Sequence, residues 1–245
     1  MQRIDNIKRA AAEIYWQIQE EITNSTLMEY MYHDVRLESN SNLPKWVGRK
    51  ILSKKVVNEK RFKSKDILLA QNLHRAIAFV RRMADIPKHD FTENDIKNLY
   101  NMVSGAACEY RTNNIDTAPK WHDIPKYMTE LVNFINSRKL RPVERAAFTH
   151  YRVVQIQPFP NFNNVVARLV MNFILIRHRY PLTIVKADDK QEYLDCLTKD
   201  SIYFLQFVTS KVLGAVNSNR LMTRERLDRN HPSIKLGLID KSRNI

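Results

Sequence analysis

Glycine is scarce in this chain, and the scarcity restricts what the protein can do. Only four of the 245 residues are glycine, at Gly48, Gly105, Gly214 and Gly237, against roughly 7% in average proteins. A glycine-rich phosphate loop needs several closely spaced glycines, because its backbone N–H groups must reach the ligand without a Cβ in the way. Such loops are therefore excluded, and helices joined by polar turns are favoured over sheets with tight hairpins.

Cysteine and long apolar runs are also lacking. The two cysteines, Cys108 and Cys196, are too few for a disulfide framework, and no Cys or His cluster has zinc-ligand spacing. No apolar run approaches the roughly 18 residues that cross a bilayer, and residues 1–5 lack the hydrophobic region of a signal peptide. The sequence predicts a cytoplasmic protein without a metal site and without a membrane segment.

Helical periodicity is present almost everywhere instead. Between residues 4 and 22 apolar side chains recur at three- and four-residue spacing, namely Ile4, Ile7, Ala11, Ile14, Ile18 and Ile22. Ser64 is a suitable N-cap for a helix that Pro87 ends, and Pro125 suits the first turn of another. Further helices are predicted over 143–156, 165–178, 190–197 and 202–217. The segment 165–178 is apolar on most faces, which predicts a central helix in a mainly α fold.

Positive charge is in excess, with 40 lysines and arginines against 26 acids. The densest basic run lies between residues 49 and 65 and comprises Arg49, Lys50, Lys54, Lys55, Lys60, Arg61, Lys63 and Lys65. Such a run favours salt-sensitive association with polyanions. No helix-turn-helix, zinc finger or RNA-binding signature accompanies it, so nucleic-acid binding remains one alternative and a solvated face the other. Residues 217–245 form a second basic stretch, predicted as an extension.

The segment 157–168, QPFPNFNNVVAR, resembles the motif HxFx(D/E)GNGRxxR of the Fic (Fido) family. The matching positions are Phe159, Asn163 and Arg168. Similar family patterns fall on 91–100, 107–111, 146–156, 179–181 and 191–197, so the resemblance covers residues 31–216. It implies a Fic/Fido helical bundle with a small β-hairpin flap at about residues 113–124. The amphipathic helix that the periodicity predicts is placed before this domain, over residues 1–30.

The motif positions that differ are those that carry the family's chemistry. The resemblance places the general base on Gln157, the acidic metal ligand on Asn161, two glycines on Phe162 and Asn164, and the first arginine on Val165. A glutamine cannot accept a proton near neutral pH, and a neutral amide oxygen is a weak ligand for Mg²⁺. Phenylalanine disfavours the positive φ that glycine allows, and valine cannot hold a phosphate as arginine does.

Three functions follow from this pattern. We expect a protein that is inactive as an AMP or nucleotidyl transferase, a pseudoenzyme that acts as a binding or regulatory module with no cofactor. One alternative is an atypical Fic enzyme that transfers a phosphate-containing group to a protein hydroxyl, with ATP and Mg²⁺ and with Asn163 and Arg168 as ligands. The other is a basic nucleic-acid-associated protein. The plain interpretation of the motif is a turn before a core helix, capped by Asn163 or Asn164.

Two further sets of residues are candidates for function. Residues 36–40 resemble the end of the family's inhibitory helix, which makes Glu38 the expected ion-pair partner of Arg168; the alternative is a solvated glutamate. In the flap, Asn114, Trp121 and His122 are candidates for contact with a partner protein, and the alternative is a tryptophan packed beneath the flap. The sequence does not identify the partner or the oligomeric state.

Overall fold

Nine α-helices account for most of the part of the chain that the computed structural model describes, namely residues 2–55, 62–107 and 109–230, with residues 2–16 and 230 described by their backbone alone. The helices are α1 Gln2–Ser39, α2 Lys45–Leu52, α3 Ser64–Asp85, α4 Glu93–Ser104, α5 Ile124–Asn136, α6 Pro142–Ile156, α7 Asn163–Arg177, α8 Lys190–Thr198 and α9 Ser201–Asn230. The mainly α prediction is confirmed.

Helix α7 forms the centre of the bundle because its sequence is apolar on most faces. Residues 165–175 are all buried, and α6, α3 and α4 pack around them. The single amide in this stretch that must find partners, Asn172, donates to the Thr183 carbonyl and accepts from the Thr183 N–H, at 3.0 and 2.8 Å. These bonds fix the chain that follows α7 against the core.

The helix ends follow local sequence rules. Thr92 and Asp95 form a capping box at the start of α4, and Gly105 ends that helix in the left-handed conformation at φ 72°, which suits a residue without a Cβ. Proline lies in the first turns of both α5 and α6, where its missing N–H leaves no bond unmade. Helix α3 begins one residue earlier than predicted, with Lys63 as N-cap and Ser64 inside the helix.

Helices α1 and α9 are both longer than predicted. Helix α1 continues without a break through position 30 to Ser39, and α9 continues through position 216 to Asn230. The two helices contact each other, for example where the Gln19 amide donates to the Thr223 hydroxyl at 3.3 Å and Arg226 lies 3.3 Å from Glu21. The positions suggested by the sequence as domain boundaries thus fall inside helices. No helix in the described ranges is long and apolar enough to cross a membrane.

The predicted β-hairpin is absent from residues 113–124, and the described residues contain no strand. These residues, called the flap segment below, form turns and the 3₁₀ turn Trp121–Asp123 that leads into α5. The carbonyls of Asn113 and Pro119 accept hydrogen bonds from Arg111, so they are already occupied, and Pro119 has no N–H to offer a strand partner. The flap segment is therefore a loop held by one arginine.

Candidate functional site

The motif loop, residues 157–162, connects α6 to α7 between two left-handed residues. Gln157 has φ 46° and Phe162 has φ 57°, a conformation that costs a residue with a Cβ roughly 1 kcal/mol or more. Phe162 thus retains a glycine-like backbone at one of the positions where the motif has glycine, while its ring packs against the core. The loop thus adopts the left-handed conformation at Phe162 without the residue that adopts it most easily.

Asn163 holds the loop closed with its side chain. Its Oδ1 accepts from the Phe159 N–H at 3.0 Å, and its Nδ2 donates to the Phe159 carbonyl at 2.8 Å. Neither Asn163 nor Asn164 is the N-cap predicted from the sequence, because Phe162 occupies that position and makes no side-chain cap. Asn163 therefore has a structural role inside the loop, where its amide bonds both backbone groups of Phe159.

Phe159 and Asn161 are both engaged by Tyr100 of α4. The Phe159 ring is buried and stacks on the Tyr100 ring, with centroids 4.2 Å apart and planes inclined by 11°. The Tyr100 hydroxyl donates to Asn161 Oδ1 at 3.2 Å. The oxygen at the expected metal-ligand position is thus a hydrogen-bond acceptor for the protein itself, and the described residues contain no group of three His, Cys, Asp or Glu that could hold a metal ion.

Arg111 fastens the motif loop to the flap segment. Its guanidinium donates to the backbone carbonyls of Gln157 at 2.8 Å, Asn113 at 2.6 Å, Pro119 at 2.5 Å and Ile156 at 3.4 Å. The residue is 2% exposed, so these carbonyls take the place of water around a charged group. No role was predicted for Arg111; it lies in the family-like segment 107–111, and its demand for buried acceptors becomes visible only in three dimensions.

Gln157 occupies the base position as a surface-facing amide. Its Nε2 donates to Thr117 Oγ1 of the flap segment at 3.4 Å, and its backbone N–H donates to the Val153 carbonyl at 3.0 Å. A glutamine amide has no basic atom with a pKa near neutrality. Gln157 thus adds a further contact between the motif loop and the flap segment.

Arg168 pairs with Asp34, and this corrects the predicted pair with Glu38. The Arg168 Nε lies 2.6 Å from Asp34 Oδ1, and both side chains are 2% exposed. Glu38 lies one helical turn further along α1, and neither of its carboxylate oxygens lies within 4 Å of a guanidinium nitrogen of Arg168. Burial raises the pKa of the Glu38 carboxyl, although the nearby Arg168 charge opposes the shift. Asp34 and Glu38 lie on successive turns of one face of α1. The turn that carries Asp34 is the one that lies opposite the guanidinium.

Tyr193 of α8 completes a buried polar cluster around Arg168. Its hydroxyl accepts from Arg168 Nη1 at 3.4 Å, lies 3.1 Å from His150 Nε2, and lies 3.5 Å from Asn164 Oδ1. Burial raises the pKa of Tyr193 to about 12, against the opposing charge of Arg168. Burial and the same arginine hold the pKa of His150 well below its usual range. Both groups are therefore uncharged near neutral pH, and Arg168 and Asp34 carry the only charges of this cluster.

The flap segment brings its three candidates together at the surface. Asn114 Oδ1 accepts from the Trp121 N–H at 3.2 Å, and the Trp121 ring meets the His122 ring edge to face at 5.8 Å. Trp121 is 44% exposed, so it is not packed beneath the flap segment. The basic run is only partly described: Lys50 lies over the Trp46 ring at 4.8 Å, Lys63 and Lys65 are exposed, and Lys60 and Arg61 lie outside the described residues.

Sequence comparisons match much of this chain to adenylyltransferases. Residues 90–175 match the model of the Fic/DOC family. The protein adenylyltransferase Fic of Nematostella vectensis is 27% identical over 218 residues, which are 82% of this chain and 48% of that protein. The protein of the same name from Drosophila melanogaster is 27% identical over 199 residues, 76% of this chain and 37% of that protein. The chain thus spans about half the length, or less, of these curated relatives.

Solved structures share the fold. A Fic domain containing signaling protein from Bacteroides thetaiotaomicron superposes with a TM-score of 0.76 at 22% identity, over 89% of this chain and 97% of that one. Fic-1 from C. elegans superposes with a TM-score of 0.73 at 22% identity, over 90% of this chain and 72% of that one. At these identities the likeness establishes the helical architecture alone, and any activity has to be argued from the residues of this chain.

Proposed function

Because the chain belongs to the Fic family through the domain at residues 90–175, we propose that it is a Fic domain that transfers no nucleotide and acts as a binding or regulatory module. One observation carries the proposal: no side chain from Gln157 to Asn164 can accept a proton near neutral pH. Transfer to a protein hydroxyl needs a base within hydrogen-bond reach of that hydroxyl. The motif loop offers none.

Neighbouring ionisable groups do not replace the missing base. His150 is fully buried, and its Nε2 faces the Tyr193 hydroxyl. Tyr193 is 2% exposed, and its raised pKa keeps its proton on the oxygen at neutral pH. Neither group can reach a hydroxyl that approaches from solvent. This burial supports an inactive site more strongly than the sequence differences do alone.

The residues present also do not fit ATP and Mg²⁺ as the family pattern would place them. Asn161 Oδ1 accepts from Tyr100, and the Arg168 guanidinium is sealed against Asp34. Val165, which stands at the first arginine position, is completely buried in the core, so it lies away from any bound phosphate. The start of α7, where the first N–H groups have no acceptor within the helix, is the one feature of the loop that still suits an anion.

A partner protein is the binding target that we propose for this module. Trp121 and Tyr127 are 44% and 36% exposed on the same stretch of chain, and large aromatic side chains at a surface are typical of binding hot spots. A photo-crosslinking residue at position 121 should therefore trap a defined partner, whereas the same residue at the exposed Tyr203 of α9 should not. Equal trapping at both positions would remove the flap segment as the binding surface.

AMP transfer is tested with α-labelled ATP and Mg²⁺ on the wild type, on Asp34→Ala and on Gln157→His. We expect no label on the protein itself or on lysate proteins for the wild type and Asp34→Ala. Gln157→His, which restores a histidine at the base position, is the comparison variant. Label with the wild type would overturn the proposal directly. Label with Asp34→Ala alone would overturn it in another way, because the site would then be held inactive by the ion pair and would possess its own base.

Nucleotide binding is tested separately by thermal unfolding with ATP and Mg²⁺. A ligand at 100 times its Kd stabilises a protein by about 2.7 kcal/mol. We expect that any effect of millimolar ATP on Tm is the same in Asn163→Ala and Asn164→Ala as in the wild type. A Tm increase that disappears in these variants would favour the alternative of an atypical enzyme.

A further inference from the structure

A cavity lies beside the start of α6 and the end of α7, remote from the motif loop. It has a volume of about 460 Å³, and its walls come from the loop before α4, the end of α5, the start of α6 and the end of α7. We call it the arginine cavity after three of its lining residues, Arg138, Arg145 and Arg177. Since α7 rises about 1.5 Å per residue, Arg177 lies roughly 20 Å from the motif loop, so the two places are separate.

Arg145 is built into the wall of this cavity. It is 6% exposed, and its Nη1 donates to the Ser137 carbonyl. Its Nη2 lies 3.0 Å from His178 Nε2, and His178 Nδ1 lies 2.9 Å from the Ile174 carbonyl. A carbonyl only accepts and a guanidinium only donates, so the contacts match a His178 ring that donates from Nδ1 and accepts at Nε2. These contacts fix the guanidinium, while its Nε has no hydrogen-bond partner.

Arg177 presents a second unpartnered donor. Its Nη1 is buried without a hydrogen-bond partner, while its guanidinium lies over the Phe173 ring at 5.7 Å. A buried donor left unpaired costs about 1–3 kcal/mol, and more when the group is charged. Both residues line the same cavity, and each has a charged donor without an acceptor from the protein.

The charge of the cavity is positive and not balanced from within. In the described part of the chain no carboxylate lies within 4 Å of the guanidinium groups of Arg138, Arg145 or Arg177. Burial and the positive charges of Arg177 and Arg138 lower the pKa of Arg145, which reflects the same lack of a counter-charge. Asp90 is the single acid in the lining, and the other lining histidine, His89, has Asp95 3.3 Å from its Nε2.

We propose that the arginine cavity binds a small molecule that carries a phosphate group. Guanidinium groups match phosphate oxygens with paired, charge-assisted hydrogen bonds, and three of them converge here with donors to spare. The volume falls within the range of small-molecule sites and leaves room for more than the phosphate alone. The concave shape favours a compact ligand over a nucleic-acid backbone, which would need an extended basic surface.

Isothermal titration with pyrophosphate and with inorganic phosphate, at constant ionic strength, tests the site. We expect saturable binding of both, with Arg177→Gln and Arg138→Gln each weakening it about tenfold or more, as the loss of a charge-assisted bond implies. Arg179→Gln is the matched control, because Arg179 is two residues away, is 84% exposed and already lies 3.3 Å from Asp85. It should bind like the wild type.

Asp90→Asn should have the opposite effect on anion affinity. Removing the one carboxylate of the lining should tighten pyrophosphate binding, because the like charge that opposes the anion is lost. Arg145 is left unchanged in these tests, since its bonds to Ser137 and His178 support the fold.

Absence of pyrophosphate binding by the folded wild type would overturn the proposal. So would equal weakening by Arg177→Gln and Arg179→Gln, which would indicate a general charge effect. Binding that is lost in Asn164→Ala and kept in Arg177→Gln would place the anion at the motif loop. Tighter binding of a single-stranded oligonucleotide than of pyrophosphate, weakened by the same variants, would show an extended nucleic-acid surface and would also contradict the proposal.

Discussion

Asp34 and Arg168 form an ion pair in which Oδ1 and Nε are 2.6 Å apart and both side chains are 2% exposed. The pair joins α1 to the central helix α7 through two charges that water does not reach. A buried pair adds little net stability compared with apolar side chains of the same size, but loss of one partner leaves the other charge unpaired. The contact therefore fixes where α1 lies more than it raises the stability of the fold.

Replacement of Asp34 should be costly. We expect Asp34→Ala to lower the free energy of unfolding by about 3–5 kcal/mol, because Arg168 is left buried without its counter-charge. Urea denaturation at pH 7 measures the change. Glu38→Ala is the control and should cost less than about 1 kcal/mol, because burial already disfavours the ionised Glu38 carboxyl by raising its pKa. A larger loss in Glu38→Ala than in Asp34→Ala would contradict the assigned pair.

Stability should fall with acidification through His150. Its pKa is lowered in the folded state by burial and by Arg168, so below about pH 6.5 the unfolded chain binds a proton that the folded chain refuses. The stabilisation is present above that pH and is lost as the pH falls. One such group accounts for about 1.4 kcal/mol between pH 7.5 and 5.5.

The variant His150→Gln isolates this contribution, since glutamine keeps an acceptor for the Tyr193 hydroxyl and does not titrate. Its free energy of unfolding should depend less on pH by about that amount. Some dependence should remain, because burial also lowers the pKa values of His33 and His74. An unchanged pH dependence in His150→Gln would show that His150 is not responsible.

Arg111 should control the order of the flap segment. Arg111→Met removes donors to four carbonyls, and we expect a loss of about 3 kcal/mol or more, since hydrogen bonds that involve a charged group contribute about 1.5–3 kcal/mol each. Amide hydrogen exchange over residues 113–119 should accelerate. Arg152→Met removes an exposed arginine that lies over the Phe134 ring at 4.1 Å, and it should cost about 1 kcal/mol or less without changing that exchange.

Restoring the family's first arginine should damage this protein. Val165 is completely buried, so Val165→Arg places a long charged side chain in a packed core with no carboxylate provided for it. We expect a loss of stability above about 4 kcal/mol, in the range that marks severe core changes, and no gain in AMP transfer. Thermal unfolding of the soluble fraction measures it, with Val165→Leu as the apolar control. A Val165→Arg protein as stable as the wild type would show that the core opens at this position.

Sequence patterns were sufficient for the architecture and insufficient for the contacts. The apolar stretch after residue 165 identified the central helix, because burial on every face leaves a clear signature. Glu38 was predicted as the partner of Arg168, and the structure has Asp34 instead; both lie on one face of α1, and only the docking of that helix decides between them. The anchoring role of Arg111 left no local signal, because its acceptors are backbone carbonyls. Phe162 at positive φ is a case where tertiary packing outweighs local preference.

The four carbonyls that Arg111 holds come from two places: Ile156 and Gln157, where α6 meets the motif loop, and Asn113 and Pro119 in the flap segment. One rigid side chain thus makes the two segments a single mechanical unit. A partner that displaces Trp121 would therefore also strain the hydrogen bond between Arg111 and the Gln157 carbonyl. Conversely, a conformational change in the motif loop would displace the exposed flap segment. If the protein transfers no nucleotide, as proposed, the loop can still transmit the presence of a partner.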